Sequence, residues 1–414
     1  MHWLLVASVL AAARGGAEGA PSPEEQKKLS AEEQKKLEDE IAKELGQSPQ
    51  PAAPAPPPAA SPSAAQEQGQ PSPPATQTGG NPFARLLLLP DISAIGSAAL
   101  AYNQLDVATL SPRGDPFAPT AGQVKPLFQE LELGIQAVVD PYARADVFIS
   151  FASEGVEVEE AYLTTLRLPG SLQVRAGKLF APVGRQNQQH GHVWSFVDRP
   201  LALARLLGPD GLKGPGLDVA WLAPTPWFAE VHVAYLSATP GFETAERNGG
   251  YARLLQFFDV GAAETLGVGL SGGWLDEPGS GAWRQIYGAD AYLKVRPPES
   301  RSYLALQGEL LVRSLDANAG ATDVPGTLWG GYLQASVRHG PYWEYGVRAE
   351  RAPATGLGTG APEVRFAALG SWLPSEFQRL RTQLAWARLP GGQDGIEALL
   401  QAEFAIGAHG AHPF

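Results

Sequence analysis

From Asp91 to the C-terminus, apolar and polar residues alternate with a period of two. The alternation falls into sixteen segments of roughly nine to thirteen residues, from Asp91–Tyr102 to Ile396–Ala408. That period is the β-strand's, and that length spans the apolar layer of a bilayer when the strand is tilted. The connections sort by length. Tight ones such as Asp140-Pro141-Tyr142, Pro224-Thr225-Pro226 and His339-Gly340-Pro341 alternate with mostly longer ones, including 103–127, 181–214 and 314–326. Short connections on one side and long ones on the other define a transmembrane antiparallel β-barrel of about sixteen strands, and a soluble sandwich has no reason to sort its loops this way.

The faces sort as well. Leu304, Leu306, Leu310 and Val312 alternate with Gln307, Glu309 and Arg313, and Leu380, Leu384 and Trp386 alternate with Arg379, Arg381 and Gln383. The apolar row is expected to meet lipid and the charged row to line water. Aromatics crowd the tight turns: Tyr142, Trp227, Phe228, Tyr342, Trp343, Trp372 and Phe377. An interfacial girdle belongs there, because an amphipathic ring favours headgroup depth. On this reading the barrel fills residues 83–414.

The part before it divides in three. Residues 1–20 read as a signal peptide, with an apolar stretch Trp3–Ala13 and small residues for cleavage, although no Lys or Arg precedes the stretch. Residues 21–46 read as a charged helix, capped by Ser22, opened by Pro23 and stopped by Gly46. Leu29, Leu37, Ile41 and Leu45 share a stripe, so a short coiled coil and a solvated charged helix both fit. Residues 47–82 are rich in Pro, Ala, Ser and Gln and form an extended linker, reaching roughly 100 Å at about 3 Å per residue. Both segments are expected in the periplasm.

Composition excludes several classes. Cysteine is absent, which removes disulfides and thiolate metal sites. A net charge of −12 argues against a nucleic-acid partner. Neither a GxSxG nor an HExxH motif occurs, and the glycines Gly208, Gly211, Gly214 and Gly216 lack the GK[ST] that completes a phosphate loop. No enzymatic activity and no cofactor follow from the sequence.

Within the barrel one connection stands apart. Residues 181–214 form a loop of more than thirty residues, carrying Trp194, Phe196, Val197, Leu201, Leu203, Leu206 and Leu207. Loops of this length are usually functional, and this one has enough apolar surface to pack on a wall. It is expected to fold into the lumen, with Arg185, Asp198, Arg199, Arg205, Asp210 and Lys213 facing a narrowed water path. The wall facing that path is expected to present Arg144, Asp146, Arg175, Asp218, Glu230, Arg348, Arg379 and Arg381, a mixed set that gives a transverse field rather than an anion trap. His190 and His192 sit two apart in the same loop. A metal site needs three or four ligands, so two imidazoles commit no metal here.

The stretch RAGKLFAPVGRQ (residues 175–186), followed by FVDRPLALARLLGPDGLKGPGLDVAWL (residues 196–222), resembles the strand–constriction loop–strand region of phosphate-selective-type porins. It is similar above all to a family of zinc-regulated outer-membrane proteins. The resemblance implies a sixteen-stranded homotrimeric porin of the bacterial outer membrane, with its third outer loop in the lumen. The chain departs from the phosphate porins in having only Lys125, Lys178, Lys213 and Lys294 after Gly80. The leading expectation is passive diffusion of small polar or anionic solutes. A zinc-linked uptake protein is one alternative. A cell-wall tether is another, with the N-terminal region contacting peptidoglycan and the barrel serving as anchor.

Overall fold

The structure, a computed structural model, describes residues 90–105, 122–153, 155–239, 246–277, 282–315, 326–354 and 360–407. The expected signal peptide, charged helix and linker lie outside the described residues. So do His409, His412 and the terminal Phe414.

The sixteen alternating segments form sixteen strands in one closed antiparallel barrel. In chain order they are β1 Asp91–Asn103, β2 Val124–Asp140, β3 Ala143–Ala152, β4 Gly155–Thr165, β5 Leu172–Phe180, β6 Lys213–Leu222, β7 Phe228–Ala238 and β8 Arg247–Asp259. Then follow β9 Glu264–Glu277, β10 Ala282–Val295, β11 Tyr303–Leu315, β12 Gly326–His339, β13 Trp343–Ala352, β14 Glu363–Ser375, β15 Gln378–Arg388 and β16 Asp394–Gly407. Each strand pairs with its sequence neighbours, and β1 closes the ring on β16, with Ser97 opposite Glu403. Closure leaves no edge with unpaired backbone groups, which a sheet in lipid cannot tolerate.

Alternation places the side chains. On β15, Arg381, Gln383, Ala385 and Ala387 are buried, while Leu380, Thr382 and Leu384 are exposed. On β13, Glu344, Arg348 and Glu350 turn inward, and Trp343, Tyr345 and Val347 turn out. The outer face is therefore apolar and the inner face charged. The aromatics at the tight turns are exposed, and several stack with neighbours, as Trp343 does on Trp372 with ring centroids 6.4 Å apart. Trp274, Trp283, Tyr287 and Trp329 are exposed towards the opposite rim. Among the described residues no helix is long and apolar enough to cross a membrane.

The core lies inside the barrel, where the β5–β6 connection fills space. Leu179, Ala181, Val183, Leu203, Leu206 and Leu207 pack with inner-wall residues Leu236, Tyr251, Leu275, Ile286, Leu311 and Tyr332. A second cluster joins Phe196 and Val197 to Ala101, Ala367, Leu369, Ala385 and Leu399. The connection holds a seven-residue helix, α1, Leu201–Leu207, which contacts β11, β12 and β13. From sequence alone this segment is a loop. All seven residues LALARLL are buried, so there is no solvated face to show a helical stripe. Pro200 before it and Gly208 after it are the local signals that mark its ends.

Candidate functional site: a segment docked on the inner wall

Residues 181–212 begin and end at a neck. The Ala181 N–H donates to the Leu212 carbonyl at 2.8 Å. Buried Asn187 braces the two sides: its Nδ2 donates to the carbonyls of Ala181 and Leu212 at 3.0 Å each, and its Oδ1 accepts from Leu212 N at 2.9 Å. Arg199 Nη2 donates to the same Oδ1 at 2.9 Å. One short amide therefore makes four hydrogen bonds at the neck, two of them to carbonyls that also accept from Ala181 N and Val183 N.

From the neck the segment visits wall strands in turn. Glu309 on β11 accepts from the backbone N–H of Arg185 at 2.9 Å and of Gln186 at 2.8 Å, and Ser271 on β9 accepts from Gly184 N at 3.1 Å. Gly184 has φ 68°, and a Cβ there would collide with the Glu309 carboxylate, so the approach requires glycine. On β15, Arg381 Nη1 donates to the carbonyls of Trp194 at 2.7 Å and Phe196 at 3.0 Å, and Gln383 Oε1 accepts from Val197 N at 2.9 Å. Arg379 donates to the His192 carbonyl at 2.5 Å. Phe196 seats over Gly346, and Ala202 over Gly330, where the wall has no side chain to obstruct them.

Asp198 closes a buried charge cluster. It pairs with Arg348 on β13 and with Arg365 on β14. Glu350 bridges the same two arginines at 2.8 and 3.0 Å, and Glu397 pairs with Arg365 at 2.8 Å. Glu350 also accepts from Leu201 N at 2.7 Å. Burial works against a charged Asp198, but Arg365 and Arg348 outweigh it and hold its carboxyl well below the usual range. Arg205 pairs with Glu363 and donates to the Pro353 carbonyl at 2.6 Å.

These positions refine the expected eyelet. Asp198 and Arg205 hold the segment to the wall and do not face open water. Arg199 is buried against Asn187 and Trp194, and burial lowers its pKa to about 10. Arg185 stacks over Tyr292 at 4.1 Å. Asp210, its pKa raised by burial, lines a recess of about 410 Å³ with Glu157, Lys178, Lys213 and Glu246. Lys213 is the first residue of β6 rather than part of the loop, and pairs with Glu157 and Glu159 at 3.2 and 3.3 Å.

The expected wall residues divide. Arg348 and Arg381 lie under the docked segment and are buried. Gln383, expected to face water, is covered with them. Arg144, Arg175, Glu230 and Arg379 stay partly open on the side of the tight turns, with side chains 42%, 23%, 26% and 17% exposed. Arg144 pairs with Asp146, and Arg175 with Asp218 at 2.7 Å; Asp218 also accepts from His232 Nδ1 at 3.0 Å.

His190 and His192 sit on a 3₁₀ turn, Gly191–Val193, and its preceding residue. They are brought to a carboxylate group on β2 and β4. Both nitrogens of buried His190 face carboxylates: Nδ1 lies 2.8 Å from Glu132 Oε2 and 3.0 Å from Glu159 Oε2, and Nε2 lies 2.9 Å from Glu160 Oε2. His192 Nδ1 is 3.3 Å from the same Glu132 oxygen. Burial opposes a charged His190, but these three glutamates prevail and raise its pKa well above the ordinary imidazole value. The histidines stand out in the sequence, but their partners do not. Strict alternation forbids adjacent Glu159 and Glu160 from facing the same way. The register shift between Phe148 and Ile149, which face Glu160 and Val158, inserts Glu159 as a β-bulge and turns both inward. Asn187, Glu309 and Glu350 carried no motif at all.

No family model matches this chain. An uncharacterised protein of Aquifex aeolicus (strain VF5) is 32% identical, over 68% of this chain and 69% of its own length. Among solved structures, an anion-selective porin from Comamonas acidovorans superposes with a TM-score of 0.53 at 12% identity, covering 77% of this chain and 99% of that one. Pseudomonas putida OprB superposes with a TM-score of 0.56 at 10% identity, covering 79% and 97%. The outer membrane channel DcaP of Acinetobacter baumannii gives 0.51 at 10% identity, covering 77% and 97%. At such low identity these likenesses concern the fold. The chain belongs to the family of the Aquifex aeolicus protein, and its barrel has the sixteen-stranded fold of the bacterial outer-membrane porins.

Proposed function

We propose that this protein is an outer-membrane porin, a passive diffusion channel for small polar solutes with a mild preference for anions, narrowed by residues 181–212. The carrying observation is that this one segment is bonded to inner-wall residues of seven strands, β2, β4, β9, β11, β13, β14 and β15. A segment held that way sets the bore, whereas a free loop would leave it open. The anion preference rests on the uncovered wall charges. Four arginines, Arg144, Arg175, Arg338 and Arg379, retain 17–42% side-chain exposure, against one glutamate in that range, Glu230 at 26%, while Glu344 and Glu403 retain 11% and 12%. Charges beside low-dielectric walls bias which ion enters. The resemblance to phosphate-selective and zinc-regulated outer-membrane families fits this reading in its constriction region, and it carries the homotrimer with it.

Planar-bilayer recording tests it. Purified protein is expected to give discrete steps with a reversal potential displaced towards the anion value. Arg144→Gln with Arg338→Gln is expected to move that potential towards cations while step size changes little. Absence of steps from protein with normal heat-modifiable gel mobility overturns the channel. An unmoved reversal potential in the double variant overturns the role of these arginines.

A further inference from the structure

We infer that His190, His192, Glu132 and Glu159 form a binding site for one divalent transition-metal ion of the zinc class, which bolts the docked segment to the β2–β4 wall. The site does not depend on the channel reading, since it needs only the fold.

Three donor atoms converge. His190 Nδ1, Glu132 Oε2 and Glu159 Oε2 point at one another, all within 4.8 Å. The separations from His190 Nδ1 are 2.8 and 3.0 Å, and His192 Nδ1 joins at 3.3 Å from the Glu132 oxygen. Bonds of 2.0–2.2 Å to a tetrahedral zinc place donor atoms about 3.4 Å apart. An expansion of a few tenths of an ångström from the present distances supplies the bore. Two imidazoles and two carboxylates are a donor set suited to zinc and its neighbours, and unsuited to the oxygen-only preference of calcium or magnesium.

The surroundings are those of a metal site in their outer layer too. A ligating imidazole is normally oriented by a carboxylate on its other nitrogen, and His190 Nε2 meets Glu160 Oε2 at 2.9 Å. Glu160 is fixed in turn, because its Oε1 accepts from Phe180 N at 3.2 Å. Glu159 offers Oε2 to the site while Lys213 holds its Oε1 at 3.3 Å. Phe148 and Phe180 flank the His190 ring, with centroids 4.8 and 5.5 Å away, and close the site to bulk water. A recess of about 410 Å³ lies next to the site, with Lys213 on its lining pairing with both Glu157 and Glu159.

The test uses the full chain in detergent, freed of metal by chelator, with zinc chloride titrated in a calorimeter and X-ray absorption measured on the loaded wild type. One zinc per chain is expected, with two imidazoles among its ligands. Glu160→Gln is expected to weaken binding about 10–100-fold at unchanged stoichiometry. His190→Ala with His192→Ala is expected to abolish it. Wild-type protein of normal heat-modifiable mobility that retains no zinc overturns the inference and leaves a proton-bridged cluster. A ligand shell with fewer than two imidazoles overturns it also, and does so even where the double variant fails to fold. Absence of channel steps in protein that binds zinc this way would reject the porin reading alone.

Discussion

At the scale of single residues, the docked segment depends on a few polar side chains with several partners each. Asn187 serves two carbonyls, one N–H and one guanidinium. Asn187→Ala should cost about 1–3 kcal/mol for each group left buried and unsatisfied. A lowered denaturation midpoint for the segment, read by trypsin cleavage at Arg199 or Arg205 while the barrel keeps its gel mobility, checks it. Asp198→Asn should be more severe, because it strands Arg348 and Arg365 beside one fewer anion; breaking a buried pair costs about 3–5 kcal/mol. Acid should act late on this cluster. A depressed native pKa stabilises in full above the unfolded aspartate value near 4 and is lost only as pH falls through the lower native value. Current noise from segment opening should therefore stay flat from neutral pH down to about pH 4. None of these partners was legible from sequence. A glutamate on an alternating strand reads as water-facing, and only the docked segment decides which ones are covered. The histidine pair was legible because a loop with two imidazoles two apart is unusual in composition.

At the scale of elements, strand number, order and facing followed from period and loop length, since a period of two leaves each residue one of two directions. Leu384 is 55% exposed on the outer face, and Leu384→Arg should impair assembly by about 2–4 kcal/mol at mid-membrane, seen as lost heat-modifiable mobility. Its neighbour Gln383 faces the lumen. It holds Val197 N, so Gln383→Arg should leave the barrel assembled and loosen the segment. Periodicity fails at the bulges, where one inserted residue reverses the facing rule, and in α1, which is buried on every side. Deleting residues 188–208 should raise single-channel conductance in protein that still shows barrel mobility. Unchanged conductance would place the segment's role elsewhere.

At the scale of the whole molecule, the open side chains on the two sides of the docked segment differ in charge. Towards the tight turns the open side chains are Arg144, Arg175, Arg338 and Arg379, with Glu230 among them. Towards the longer loops the recess carries Glu157, Asp210 and Glu246 against Lys178 and Lys213. An ion therefore meets a different field according to the direction from which it arrives. If the proposed channel reading holds, the pore should act as a weak diode. Its current–voltage curve should bend, carrying unequal current at equal voltages of opposite sign, and the curvature should fade as added salt shortens the reach of the fixed charges.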